Sequence, residues 1–117
     1  MFPLADLTDL VDYWRTEYDW RVFEERLRRI GQFRTTIDGL GIHFLHRRSA
    51  RADATPLILT HGWPGSIAEF IDVVDELADP TRVDAPAFHV VVPSLPGFGY
   101  SDRPETTGWG VERIASA

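Results

Sequence analysis

Two short apolar runs, Leu57-Ile58-Leu59-Thr60 and Phe88-His89-Val90-Val91-Val92, each stop at a loop rich in glycine and proline, with one helical stripe between them. Neither run alternates polar with apolar residues, which is the pattern of strands buried on both faces, as parallel strands are. Strand, helix, strand in that order is a βαβ unit, so the chain is an α/β protein containing part of a parallel sheet. The helix between the strands is expected to start at Ser66, with Glu69 as its capping-box partner. It should run through the stripe Ile67, Phe70, Ile71, Val74 and Leu77 to a stop at Asp79-Pro80.

Upstream, Leu7, Leu10, Val11, Trp14 and Tyr18 recur at three- and four-residue steps and mark a first helix. Asp19 can cap a second, whose stripe is Trp20, Phe23, Leu27 and Ile30 and whose end is Gly31. Asp38-Gly39 between alternating runs predicts a type I′ hairpin in which Ile37 faces Leu40, Thr35 faces Ile42 and Phe33 faces Phe44. A polar stretch, 47–55, connects the hairpin to the βαβ unit, and a last helix is expected within 110–117. The organisation is therefore a helical meander, 1–31, followed by 32–117, a hairpin plus βαβ that form the first strands of an α/β sheet.

Composition narrows the chemistry. A chain of 117 residues accommodates one domain. A net charge of −6 repels phosphate backbones, so nucleic acid is not an expected partner. All 12 basic residues are Arg, and without Lys neither a phosphate-binding P-loop nor a Schiff base can be built. The absence of Cys removes disulfides, thiolate catalysis and Cys-ligated metal. No apolar run approaches the roughly 18 residues of a membrane span, which leads to an expectation of a cytoplasmic protein with no membrane partner.

In an open parallel sheet, ligands bind beyond the carboxyl ends of the strands. Two loops lie there, His61-Gly62-Trp63-Pro64-Gly65-Ser66 and Ser94-Leu95-Pro96-Gly97-Phe98-Gly99-Tyr100-Ser101. Gly62 and Gly65 are expected to permit unusual backbone angles, Gly97 and Gly99 to be structural residues of the second loop, His61 to fix its turn through hydrogen bonds, and Ser66 to act as a helix cap rather than a nucleophile. His43 and His46 fall on opposite faces of a strand and cannot share an ion, so no metal is expected. Gly97-Phe98-Gly99 would place Asp102 where a dinucleotide fingerprint needs its third Gly, so no nucleotide cofactor is expected either. Arg26, Arg28, Arg29, Arg47, Arg48 and Arg51 read as a solvated face. The aromatic residues Trp14, Tyr18, Trp20 and Phe23 read as a packing surface for a neighbour.

The loop 61–66 together with Pro93-Ser94-Leu95-Pro96-Gly97-Phe98-Gly99-Tyr100-Ser101 closely resembles the epoxide hydrolases of the microsomal type, members of the α/β-hydrolase superfamily. Tyr13-Trp14-Arg15, Tyr18-Asp19-Trp20-Arg21, Ile37-Asp38-Gly39-Leu40 and Gly108-Trp109-Gly110 resemble the N-terminal region of the same family. The resemblance implies that an Asp carboxylate opens an epoxide, that a His with an acidic partner directs water onto the resulting ester, and that two cap tyrosines polarise the epoxide oxygen. It maps one oxyanion-hole amide onto the backbone N–H of Trp63, and Trp63 and Pro64 onto the pocket wall. The nucleophile, the catalytic His and the tyrosines would follow Ala117. The chain is thus expected to be a fragment or excised N-terminal domain, inactive alone, whose partners are the remaining catalytic part and a small-molecule epoxide, with a homodimer also allowed. Two rival readings stay open: a non-catalytic interaction module on a hydrolase scaffold, and another α/β-hydrolase such as a haloalkane dehalogenase or esterase. In the family's strand order the missing strand would leave residues 57–60 as an exposed apolar edge.

Overall fold

The computed structural model describes residues 3–117. Helices α1 (Leu4–Thr16) and α2 (Trp20–Ile30) are separated by a short break at which the Asp19 carboxylate accepts the Arg21 N–H at 2.9 Å, and Gly31 ends α2 with φ 101°. Strands β1 (Gln32–Ile37) and β2 (Leu40–Arg47) form the expected hairpin. Asp38 and Gly39 both have positive φ, 52° and 81°, as a type I′ turn requires, and the pairs 37/40, 35/42 and 33/44 stand opposite each other. Strands β3 (Thr55–Ile58) and β4 (Phe88–Pro93) complete a four-stranded sheet in the order β1-β2-β4-β3, with β3 and β4 parallel and the other pairs antiparallel.

Side-chain alternation divides the sheet into two unlike faces. Leu45, Val90 and Val92 point to one face, where Leu27 and Ile30 of α2 and Ile67, Ile71, Val74 and Ala78 of the βαβ crossover close a single core over them. This core joins α2 to the sheet. On the opposite face Ile42, Phe44, Ile58 and Val91 border an open groove of about 610 Å³, beside which stands α4 (Val111–Ser116).

Two expectations are corrected. The crossover is not one continuous helix from Ser66. A 3₁₀ turn spans Ile67–Phe70, with Glu69 N–H and Val73 N–H bonded three residues back to the carbonyls of Ser66 and Phe70, and a separate helix α3 covers Val74–Ala78. The break falls at Ile71-Asp72-Val73-Val74, where three β-branched residues lose side-chain freedom in a helix. The first apolar run, expected as a strand buried on both faces over 57–60, is β3, which begins two residues earlier; it lies at the sheet's edge, as the expected strand order implies. Leu57 is half-buried, but Ile58 is 63% exposed because the groove face above it is open. Leu59 N–H still donates to Val91 O at 2.9 Å, so the ladder continues past the strand's end.

Candidate active site

Because β3 and β4 are parallel neighbours, the loops that leave their carboxyl ends come out side by side. His61, only 4% exposed, joins them. Its Nδ1 lies 3.1 Å from Gly62 O and its Nε2 accepts the Leu95 N–H at 3.2 Å, while its ring meets Phe98 edge-on at 5.3 Å. Trp63 follows with its side chain 84% exposed, and the Trp63–Pro64 peptide is cis. No acceptor among the described residues takes the Trp63 N–H. Ser66 acts as a cap: its hydroxyl accepts from Ala68 N–H at 3.2 Å, and its own N–H donates to Glu69 Oε1 at 3.1 Å.

The glycines of the two loops do different jobs. Gly97 and Gly99 hold φ at 84° and 50°, in the region that disfavours side chains. Gly62 and Gly65 do not, which corrects the expectation of unusual angles in the first loop. Gly65 is required for space instead, since a Cβ there would stand 2.7 Å from Gly62 O and 2.0 Å from Glu69 Oε1. Around Gly62 a Cβ would meet nothing within 4 Å.

The second loop is stapled to the hairpin. Ser94 N–H donates to His43 O at 2.9 Å, Ser101 Oγ donates to Ser94 O at 2.6 Å, and Asp102 N–H donates to Gly41 O at 2.8 Å. The Asp102 carboxylate takes the Gly41 N–H at 2.9 Å and pairs with Arg34, whose guanidinium also donates to Tyr100 O at 2.9 Å. The bond from Arg34, then that from Gly41, holds the Asp102 carboxyl below its ordinary range. His43 is 6% exposed and sits between Ser94 Oγ at 3.0 Å and Gln32 Oε1 at 3.1 Å, with the Tyr100 ring edge-on at 5.0 Å. Burial first, and the nearby Arg34 charge second, push the His43 pKa below its usual value.

The family model for the epoxide hydrolase N terminus matches residues 2–70, and that for the alpha/beta hydrolase fold matches residues 55–116. The chain belongs to the epoxide hydrolase family. A Stigmatella aurantiaca protein assigned as an epoxide hydrolase is 56% identical over 118 residues, a match that covers 98% of this chain and 27% of the relative. The crystal structure of juvenile hormone epoxide hydrolase from the silkworm Bombyx mori superposes with a TM-score of 0.85 at 32% identity, over 97% of this chain and 31% of that one. An enantioselective mutant of the Aspergillus niger epoxide hydrolase gives 0.78 at 41% identity, over 98% and 30%. The chain therefore spans less than a third of the length of these relatives.

Within this epoxide hydrolase region, sequence reasoning singled out both loops but missed the groups that brace them. Gln32, Arg34 and Asp102 lie up to 68 residues from their partners, and no spacing rule connects such positions. His43 was considered only as a metal ligand. Both its nitrogens are occupied by Ser94 and Gln32, and His46 packs instead against the Phe33 ring at 6.0 Å. Four of the six arginines of the solvated face meet carboxylates: Arg26 pairs with Asp72, Arg28 with Glu25 at 3.0 Å, Arg47 with Asp79 at 3.4 Å and Arg51 with Asp53 at 2.7 Å.

Proposed function

We propose that this region belongs to an enzyme that hydrolyses small-molecule epoxides to vicinal diols through a covalent Asp ester, and that it supplies half of the oxyanion hole. The reading rests on the N–H of Trp63, which stands at the carboxyl end of the sheet with no intramolecular acceptor among the described residues. When water adds to the ester carbonyl, negative charge builds on the carbonyl oxygen, and a fixed amide aimed at that oxygen stabilises the transition state without reorganising. In the complete enzyme, Trp63 and Pro64 would form part of the pocket wall beside it. The carboxylate nucleophile, the His that activates water and the acids that polarise the epoxide come from chain beyond these 117 residues, so the isolated region binds none of the reacting atoms productively.

The test compares the 117-residue chain with the product of the longest reading frame that contains it, using a panel of aryl and alkyl epoxides with diol formation as the readout. The isolated chain is expected to be inert and the longer protein active. Diol production by the isolated chain, or none by the longer protein on any epoxide, would overturn the reading.

A further inference from the structure

We infer that His61 is a positioning residue that sets the direction in which the Trp63 N–H points, an inference that rests on the oxyanion reading of that amide. The argument begins with the tautomer. Gly62 O can only accept and Leu95 N–H can only donate, so His61 must carry its proton on Nδ1 and keep Nε2 as a lone pair. The ring is thereby a neutral bridge, donating to the first loop and accepting from the second.

The carbonyl it holds belongs to the Gly62–Trp63 peptide, which is trans. In a planar trans peptide the C=O and the N–H point in opposite directions, so fixing Gly62 O against the His61 ring turns the Trp63 N–H away from that ring. Without this anchor the plane is free to rotate, because Gly62 has no Cβ and nothing within 4 Å of where one would be. A half-turn would replace the donor with a carbonyl oxygen, whose partial negative charge repels an anion. His61 cannot easily follow such a rotation, being buried, bound to Leu95 and packed on Phe98. The loop after β4 thus fixes the donor in the loop after β3 through a single side chain.

The experiment uses the 15N-labelled longer protein that contains this region, in a weakly aligning medium. Long-range 1H–15N correlation reads the His61 tautomer, and the residual dipolar coupling of the Trp63 amide reads the direction of its N–H. The Nδ1–H tautomer is expected, and the Nε2–H tautomer in the wild-type protein would overturn the inference without any variant being made. His61→Asn, whose side-chain amide can replace the Nδ1 donor, should keep the wild-type coupling. His61→Gln, which places its polar end nearer the Nε2 position, should change it. An unchanged Trp63 coupling in folded His61→Gln would also overturn the inference. In the same protein, His61→Gln should lower kcat about 100-fold or more with little effect on KM, as loss of an oxyanion donor does, and His61→Asn should recover much of it. A changed coupling with undiminished kcat would uphold the positioning role while sinking the oxyanion assignment, so the two can fail separately.

Discussion

Protonating His43 would place a charge where the ring has only 6% of its surface exposed, beside the Arg34 guanidinium and between two neutral hydrogen-bonding partners. The folded state therefore holds the imidazole neutral and lowers its pKa from the ordinary 6.5. Below that value the unfolded chain takes up the proton more readily than the folded one. His43 thus contributes stability that is fully present above its unfolded pKa and is lost as the pH falls from that value through the lower folded one. Asp102 acts in the same direction but lower, from 3.8 downward, because its carboxylate is held ionised by Arg34 and Gly41. The melting temperature is expected to fall between about pH 7 and pH 5.5. In His43→Gln, which keeps hydrogen-bonding atoms but cannot titrate, the fall should be smaller. Equal falls in both proteins would remove His43 from the account.

At the scale of elements, what could be read in the sequence was what is local in the chain. The Asp38-Gly39 turn, the Asp19 cap, the Gly31 stop and the Ser66–Glu69 capping box are set within a few residues, and the structure has each of them. The break between the 3₁₀ turn and α3 was hidden because its apolar positions fit one helical stripe even though its β-branched residues disfavour a helix. The staple of the second loop was hidden for a different reason: its bonds depend on β2 lying beside β4, a pairing that apolar periodicity does not encode. Two substitutions test these local devices by chemical denaturation. Ser66→Ala should cost about 1 kcal/mol through its lost cap, seen as a lower midpoint at unchanged slope. Gly99→Ala should cost about 1–2 kcal/mol, since its backbone is left-handed. An added Cβ there would also lie 2.9 Å from Ser94 Oγ. A neutral result for Gly99→Ala would mean that the second loop relaxes freely, contrary to its bonds with the hairpin.

The whole molecule exposes more surface than its size calls for. Its accessible area is 8608 Å², whereas a compact monomer of 13.3 kDa exposes about 6,500 Å². Its radius of gyration is 17.4 Å against about 13 Å for a compact chain of this length. Two features account for the excess. Helix α1 buries none of its residues, leaving Leu4, Leu10 and Trp14 in solvent, and the groove face of the sheet leads to an unpaired edge at β3. The N–H groups of Thr55 and Leu59 are directed at β4, so the backbone groups of Pro56 and Ile58 face outward. Pro56 offers no donor and partly blunts that edge, but Ile58 leaves both an amide and an apolar side chain open to another chain. The 117-residue chain on its own is therefore expected to self-associate, with a melting temperature that rises with protein concentration. Ile58→Lys, which puts a charge on both the edge and the groove face, should lower the sedimentation-average mass at a given concentration. A wild-type chain that sediments as a monomer and melts at a high temperature independent of concentration would contradict this, and would mean that the exposed faces are covered by the chain's own rearrangement in solution.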